Sequence, residues 1–140
     1  MIEETSKEDF SVLVIDGDVG VLNAFKKSLP RWGFVVSGFS STAEGFEILK
    51  QKRPQALILD IELRKPQNIS LLREVKKLYP SLPVFTMTAY STSFTEADAI
   101  RQGADGYFVK PFDLYALIRQ LKTAVKNSKE ISSIEEVYVA

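Results

Sequence analysis

The chain of 140 residues has the length of one domain, and its 45% hydrophobic and 26% charged residues are an ordinary globular balance that excludes a disordered or fibrous chain. Eighteen Lys and Arg offset eighteen Asp and Glu, so no overall field draws in nucleic acid or an anionic membrane. The absence of Cys and His excludes disulfides, thiolate metal sites, cysteine nucleophiles, imidazole bases and phosphohistidine chemistry on this chain.

Met1 to Thr5 is acidic and polar, without the apolar core of a signal peptide. No apolar run approaches the roughly 18 residues a membrane span needs, so a soluble, cytoplasmic protein is expected. Residues 1–10 read as a polar lead. Val12-Leu13-Val14-Ile15 is a β-branched apolar run that halts at Asp16-Gly17-Asp18, a strand running into a loop. Leu22, Phe25 and Leu29 then recur at helical spacing, with Lys26 and Lys27 on the polar side. Gly33, expected in the left-handed region at the helix end, introduces a second strand at Phe34-Val35-Val36. Ser40 or Ser41 can cap a helix through Lys50, and Glu44, three residues after Ser41, completes a capping-box pattern.

Pro54 precedes Ala56-Leu57-Ile58-Leu59-Asp60, the most apolar run of the chain and the candidate for a fully buried central strand. A polar loop through Asn68 leads to a helix carrying Leu71, Leu72, Val75 and Leu78, and Pro80 and Pro83 bracket the turn into a fourth strand, Val84 to Thr88. Thr92 to Gln102 suits a short, Ala-rich helix that stops at Gly103, and Gly106 to Lys110 is a fifth strand ending before Pro111. Leu114, Leu117, Ile118, Leu121 and Val125 form the apolar stripe of the last helix. The domain thus spans 11–127, with 128–140 as a C-terminal tail. Five strands alternating with five helices, too far apart for hairpins, predict right-handed crossovers. The fold expected is α/β, a doubly wound five-stranded parallel sheet flanked by five helices.

The ends of the first, third, fourth and fifth strands are Asp16, Asp60, Thr88 and Lys110. A parallel sheet brings these to one edge, where ligands of such sheets bind. An Asp after a strand has an ordinary structural use as a helix cap or Asx turn. A carboxylate at the tip of a buried strand is otherwise paired, metal-bound or chemically used. Two carboxylates can hold a hard divalent cation such as magnesium. A hydroxyl and an ammonium opposite them can bind phosphoryl oxygens, and Asp60, in the middle, can be a nucleophile that forms an acyl phosphate.

With Val12 to Asp16, Ala56 to Asp60, Thr88-Ala89, Gly106-Tyr107 and Lys110-Pro111-Phe112 in this order, the chain resembles the receiver domain of two-component response regulators, from about Ser11 to Val125. The resemblance implies a phosphorelay signalling switch in which Asp60 is the phosphoacceptor. It also implies that Asp16, Asp60 and the main-chain carbonyl of Glu62 hold magnesium, that Thr88 binds a phosphoryl oxygen, and that Lys110 pairs with the carboxylates or the phosphate. Tyr107 would swing inward when Thr88 engages the phosphate, and the Lys110-Pro111 bond would be cis. The implied partner is a sensor histidine kinase or phosphotransfer protein, with a homodimer through the fourth helix, fifth strand and fifth helix. Phosphoryl transfer and dephosphorylation would be self-catalysed, without the external product of an enzyme. Thr88 also fits an ordinary strand residue, Lys110 a solvated strand end and Tyr107 a buried strand tyrosine.

The chain departs from the family pattern at Gly17, where a second acid normally ligates the metal; the expected result is a weakened magnesium site, with Asp18 as a candidate substitute. Leu63-Arg64-Lys65-Pro66 replaces the usual Met-Pro-Gly, and Asn68 stands at a later Gly, where Asn would tolerate a left-handed turn. The Glu62 side chain and Tyr90 fall where relatives tune access of hydrolytic water. Retention of Asp60, Thr88 and Lys110 favours a phosphorylated switch. Gly17 leaves open a degenerate receiver acting as a phosphorylation-independent interaction or dimerisation module. A flavodoxin-like binder of a nucleotide or flavin is disfavoured, because Asp16-Gly17-Asp18-Val19-Gly20 is too acidic to cradle phosphate without a metal. No effector segment follows the last helix in this sequence, so the chain is expected either to act alone or to belong to a longer regulator, with nothing that points to nucleic acid directly.

Overall fold

The computed structural model describes residues 10–61, 66–89 and 93–139, with side chains over 10–61, 67–89 and 93–127. Strands β1 (Phe10–Ile15), β2 (Phe34–Phe39), β3 (Ala56–Asp60), β4 (Val84–Thr88) and β5 (Gly106–Val109) alternate with helices α1 (Val19–Ser28), α2 (Thr42–Lys52), α3 (Pro66–Leu78), α4 (Glu96–Arg101) and α5 (Leu114–Val139). All strand pairs are parallel, and their order is β2-β1-β3-β4-β5. The doubly wound sheet expected from the alternation is therefore present. β3 and β4, in the interior of the sheet, are buried at every residue, which is why β3 is a continuous apolar run up to Leu59 rather than an alternating one.

Two cores sandwich the sheet. On one face Val12, Val14, Ala56, Ile58, Phe85, Met87 and Phe108 pack with residues of α1 and α5. On the other, Leu13, Leu57, Leu59 and Val84 pack with Leu49 of α2, Leu71, Leu72 and Val75 of α3, and Ala99 of α4. This division follows from the period-two alternation of each strand.

Helix ends follow local chemistry. Gly33 adopts φ 89° and closes the turn after α1, and Ser41 caps α2 by accepting from the Glu44 N–H. α4 begins later than the expected start at Thr92, because Thr95 and Asp98 form a reciprocal capping box. One expectation is corrected. Asn68 lies inside α3, not in a left-handed turn; among the described residues, Arg53 is the non-glycine residue with positive φ. The helix starts at Pro66, a residue suited to a first helical turn, which leaves the Asn68 side chain to bond outward. The segment beyond Asn127, expected as a C-terminal tail, is helical and continues α5 to Val139. It contains neither Gly nor Pro, so nothing there stops a helix.

Candidate functional site

The carboxyl ends of β1, β3, β4 and β5 meet at one edge, and β1 and β3 flank the point where the chain turns from building one half of the sheet to the other. Asp16 and Asp60 stand on either side of that crevice. Both are buried, at 1% and 9% exposure. The Lys110 Nζ joins them, 2.7 Å from Asp16 Oδ2 and 3.1 Å from Asp60 Oδ1. Alternation explains the meeting: Val14, Ile58 and Phe108 point to the α1/α5 face, and Asp16, Asp60 and Lys110 each lie two residues further on.

Burial alone would lower the proton affinity of the Lys110 ammonium. The hydrogen bond and charge of Asp16, followed by the charge and hydrogen bond of Asp60, overcome that effect and hold its pKa above the ordinary lysine value. Lys110 is thus a fixed cation at neutral pH. Its main-chain N–H also donates to the Thr88 carbonyl at 2.8 Å, which ties the loop after β5 to the end of β4. The Lys110-Pro111 bond is cis, in line with the resemblance.

Thr88 is fully buried. It shares the face of β4 with Val84, which belongs to the α2/α3/α4 core, so it approaches the edge from the side opposite to Asp60. Tyr107 packs against that same core, and its hydroxyl donates to the Phe94 carbonyl at 2.6 Å. Burial, then the charges of Glu96 and Asp98, push the Tyr107 phenol above its usual pKa, so it remains a hydrogen-bond donor. The structure therefore engages the Tyr107 hydroxyl with the segment leading to α4.

Asp18 does not join the carboxylates. It caps α1, accepting from the Gly20 N–H at 2.8 Å, while its own N–H donates to Asp16 Oδ1 at 2.8 Å. The alternative that Asp18 substitutes for a side chain at position 17 is not supported, since its oxygen is used as a helix cap. Among the described residues no group of three or more acids gathers. Glu62 and Tyr90 lie outside the described residues.

Sequence reasoning missed the role of Asn68. It is 4% exposed, its Nδ2 donates to the Asp60 main-chain carbonyl at 2.6 Å, and its Oδ1 accepts from the Thr42 hydroxyl at 2.5 Å. The signal available was an amide side chain eight residues past the strand tip, where the resemblance led to the expectation of a glycine-like turn. Away from this edge, at the amino ends of β3 and β4, a groove of about 490 Å³ is lined by Arg53, Pro54, Tyr79 and Pro83 among others.

Two buried carboxylates sharing one ammonium, at the carboxyl edge of a 2-1-3-4-5 parallel sheet, define a class of doubly wound α/β domain whose acidic strand ends meet at a single edge. The sequence model of the response regulator receiver domain matches residues 12–122, and the chain belongs to that family. It is 31% identical over 124 residues to the transcriptional regulatory protein ZraR of Klebsiella oxytoca, an overlap of 89% of this chain and 28% of that protein. To the DNA-binding transcriptional regulator NtrC of Escherichia coli strain K12 it is 32% identical over 119 residues, covering 85% of this chain and 25% of NtrC. The chain thus spans less than a third of the length of these relatives. Among solved structures, NtrX from Brucella abortus in complex with ADP superposes with a TM-score of 0.81 at 26% identity, covering 92% of this chain and 30% of that one. A CheY-like receiver domain protein from Methanospirillum hungatei shares the fold, with a TM-score of 0.79 at 23% identity over 88% of this chain and 98% of that one. Receiver domains interact with histidine kinases or phosphotransfer proteins and generally bind magnesium at their phosphorylation site. Among the described residues no helix is long and apolar enough to cross a membrane.

Proposed function

We propose that this receiver domain is a phosphorylatable switch whose phosphoacceptor is Asp60. The observation that carries the reading is the position of the Asp60 carboxylate, at the strand tip and 3.1 Å from Lys110. In the transfer, a carboxylate oxygen of Asp60 attacks the phosphorus of a phosphohistidine on a sensor kinase or phosphotransfer protein. The O–P bond forms as the N–P bond breaks, and the leaving imidazole nitrogen takes up a proton. Lys110 balances charge on the transferred group, and the Thr88 hydroxyl meets one of its oxygens from the other face of the sheet.

Asp16 and Asp60 would hold a magnesium ion, with the Glu62 main-chain carbonyl as the third ligand expected from the family. Among the described residues two carboxylates face one ammonium at the edge, a donor set that fits a hard divalent cation keeping most of its water. When bound, that ion neutralises charge on the transferred group. Gly17 adds no side chain to this set, and Asp18 is committed to α1, so metal affinity is low for a receiver.

Engagement of Thr88 would release Tyr107 from Phe94 and turn it inward, altering the surface of α4, β5 and α5 through which a homodimer or output partner is selected. The longer relatives, named as transcriptional and DNA-binding regulators, make control of transcription the output expected of a full-length protein, in the cytoplasm. The weak donor set at position 17 favours one further reading, a degenerate receiver that binds partners without phosphorylation.

Incubation with acetyl phosphate and magnesium followed by intact-mass measurement separates the two. One phosphoryl adduct, absent from Asp60→Ala, is expected. No adduct at tens of millimolar magnesium would leave the interaction module.

A further inference from the structure

We propose that Asn68, held by Thr42, is a positioning residue for the phosphoacceptor: it locks the peptide plane that follows Asp60 and thereby fixes the direction of the Asp60 carboxylate. The inference rests on Asp60 being the phosphoacceptor. β3 outruns its neighbour β1, because the register between them ends at Ile15 and Leu59, and the next β1-side amide, Asp16 N–H, is bonded to the Phe39 carbonyl at 3.1 Å. The Ile61 N–H points towards β4 and donates to the Met87 carbonyl at 2.7 Å. In a trans peptide the Asp60 carbonyl must then point the other way, to the β1 side. There Asn68 Nδ2 meets it at 2.6 Å, in place of a strand partner.

The peptide between Asp60 and Ile61 is therefore gripped on both sides, by β4 through its N–H and by α3 through its carbonyl. Rotation about the Asp60 backbone is the motion that would swing the carboxylate away from Lys110, and this grip opposes it. The amide itself is oriented by α2: the Thr42 hydroxyl donates to Asn68 Oδ1 at 2.5 Å, which selects the amide rotamer that presents Nδ2 to Asp60. Thr42 is free for this task because Ser41 caps the helix. The relay runs from α2 through α3 to the strand tip and is nine-tenths or more buried at Asn68 and Asp60.

The test compares Asn68→Ala, Thr42→Val and Thr42→Ser in the intact chain, following phosphorylation by acetyl phosphate at saturating magnesium together with thermal stability. Asn68→Ala and Thr42→Val are expected to slow the maximal phosphorylation rate about tenfold or more at an unchanged half-saturating donor concentration, since misplaced reacting groups lose rate rather than binding. Thr42→Ser, which keeps the hydroxyl, is expected to restore the wild-type rate. Variants that melt lower yet phosphorylate at the wild-type rate would overturn the proposal and make Asn68 a structural cap. Should the wild-type chain accept no phosphoryl group, the phosphoacceptor reading fails, and the crystal structure of Asn68→Ala still decides the positioning role. A Lys110 to Asp60 separation beyond hydrogen-bond range supports it, and one that stays near the 3.1 Å of the parent overturns it.

Discussion

Lys110 supplies a cation shared by the buried carboxylates of Asp16 and Asp60. Removing it in Lys110→Met leaves Asp16 and Asp60 facing each other without that cation. The expected cost is on the order of 2 kcal/mol, less than the roughly 3–5 kcal/mol for breaking a wholly buried pair, because the Lys110 side chain is 20% exposed. Its pKa is raised in the fold, so its contribution is fully present below the ordinary lysine value of about 10.4 and is lost as pH rises through the raised value. Urea unfolding of both proteins should show a stability gap that is flat from about pH 7 to 9 and narrows only above about 10. A gap that closes already near pH 8 would mean that the ammonium is not held by the two acids. Asp16, Asp60 and Lys110 were legible in the sequence because each ends an apolar strand, and a parallel sheet leaves such ends no other place to go. Asn68 was not. Its partner Thr42 is 26 residues away, and their contact depends on how α2 packs beside α3, which no local pattern records.

The elements carry the site only if α2 lies close against β1. Gly45 sits at that contact: a Cβ there would be 2.5 Å from Ile15 Cδ1 and 2.6 Å from Cγ1, and Ile15, at 1% exposure, has no room to retreat. Gly45→Ala gains up to about 1 kcal/mol in helix propensity, but over-packing costs about 1–3 kcal/mol. A net loss on the order of 1 kcal/mol is expected by urea unfolding, because overlap with both the Cγ1 and Cδ1 carbons of a buried side chain requires the helix itself to shift. A more stable Gly45→Ala protein would show that Ile15 repacks and that the close approach is dispensable. At this scale the sequence was most informative where apolar runs or spacing were long, as in β3 and the first half of α5. It misled where one rule was read without its competitor. Residues 128–139 lack a continuous apolar stripe and so read as a tail, although helix continuation needs only the absence of a stop. Leu78, in register with the α3 stripe, is 51% exposed, so the buried stripe stops one turn before its spacing implies.

For the whole molecule, a net charge of zero contrasts with the edge where strand ends converge, where among the described residues two carboxylates share one ammonium. Two core layers pack the sheet behind that edge, which limits how far the two carboxylates can move apart. A divalent cation bound there and not in the unfolded chain stabilises the fold by mass action, by about 1.4 kcal/mol when its concentration is ten times its dissociation constant. For a domain of this size that corresponds to a rise in melting temperature of roughly 4 °C. Asp60→Asn removes one carboxylate charge without metal, leaving Asp16 and Lys110 as a matched pair. The variant should melt higher than the parent in the absence of magnesium and respond little to its addition. Thermal melts of both proteins across about 1 to 50 mM magnesium, bracketing the weak affinity expected of so few ligands, distinguish the outcomes. A parent whose melting temperature ignores magnesium throughout, and which gains nothing from Asp60→Asn, would show that Lys110 alone balances the edge. The fold would then serve partner binding, without a metal-dependent switch.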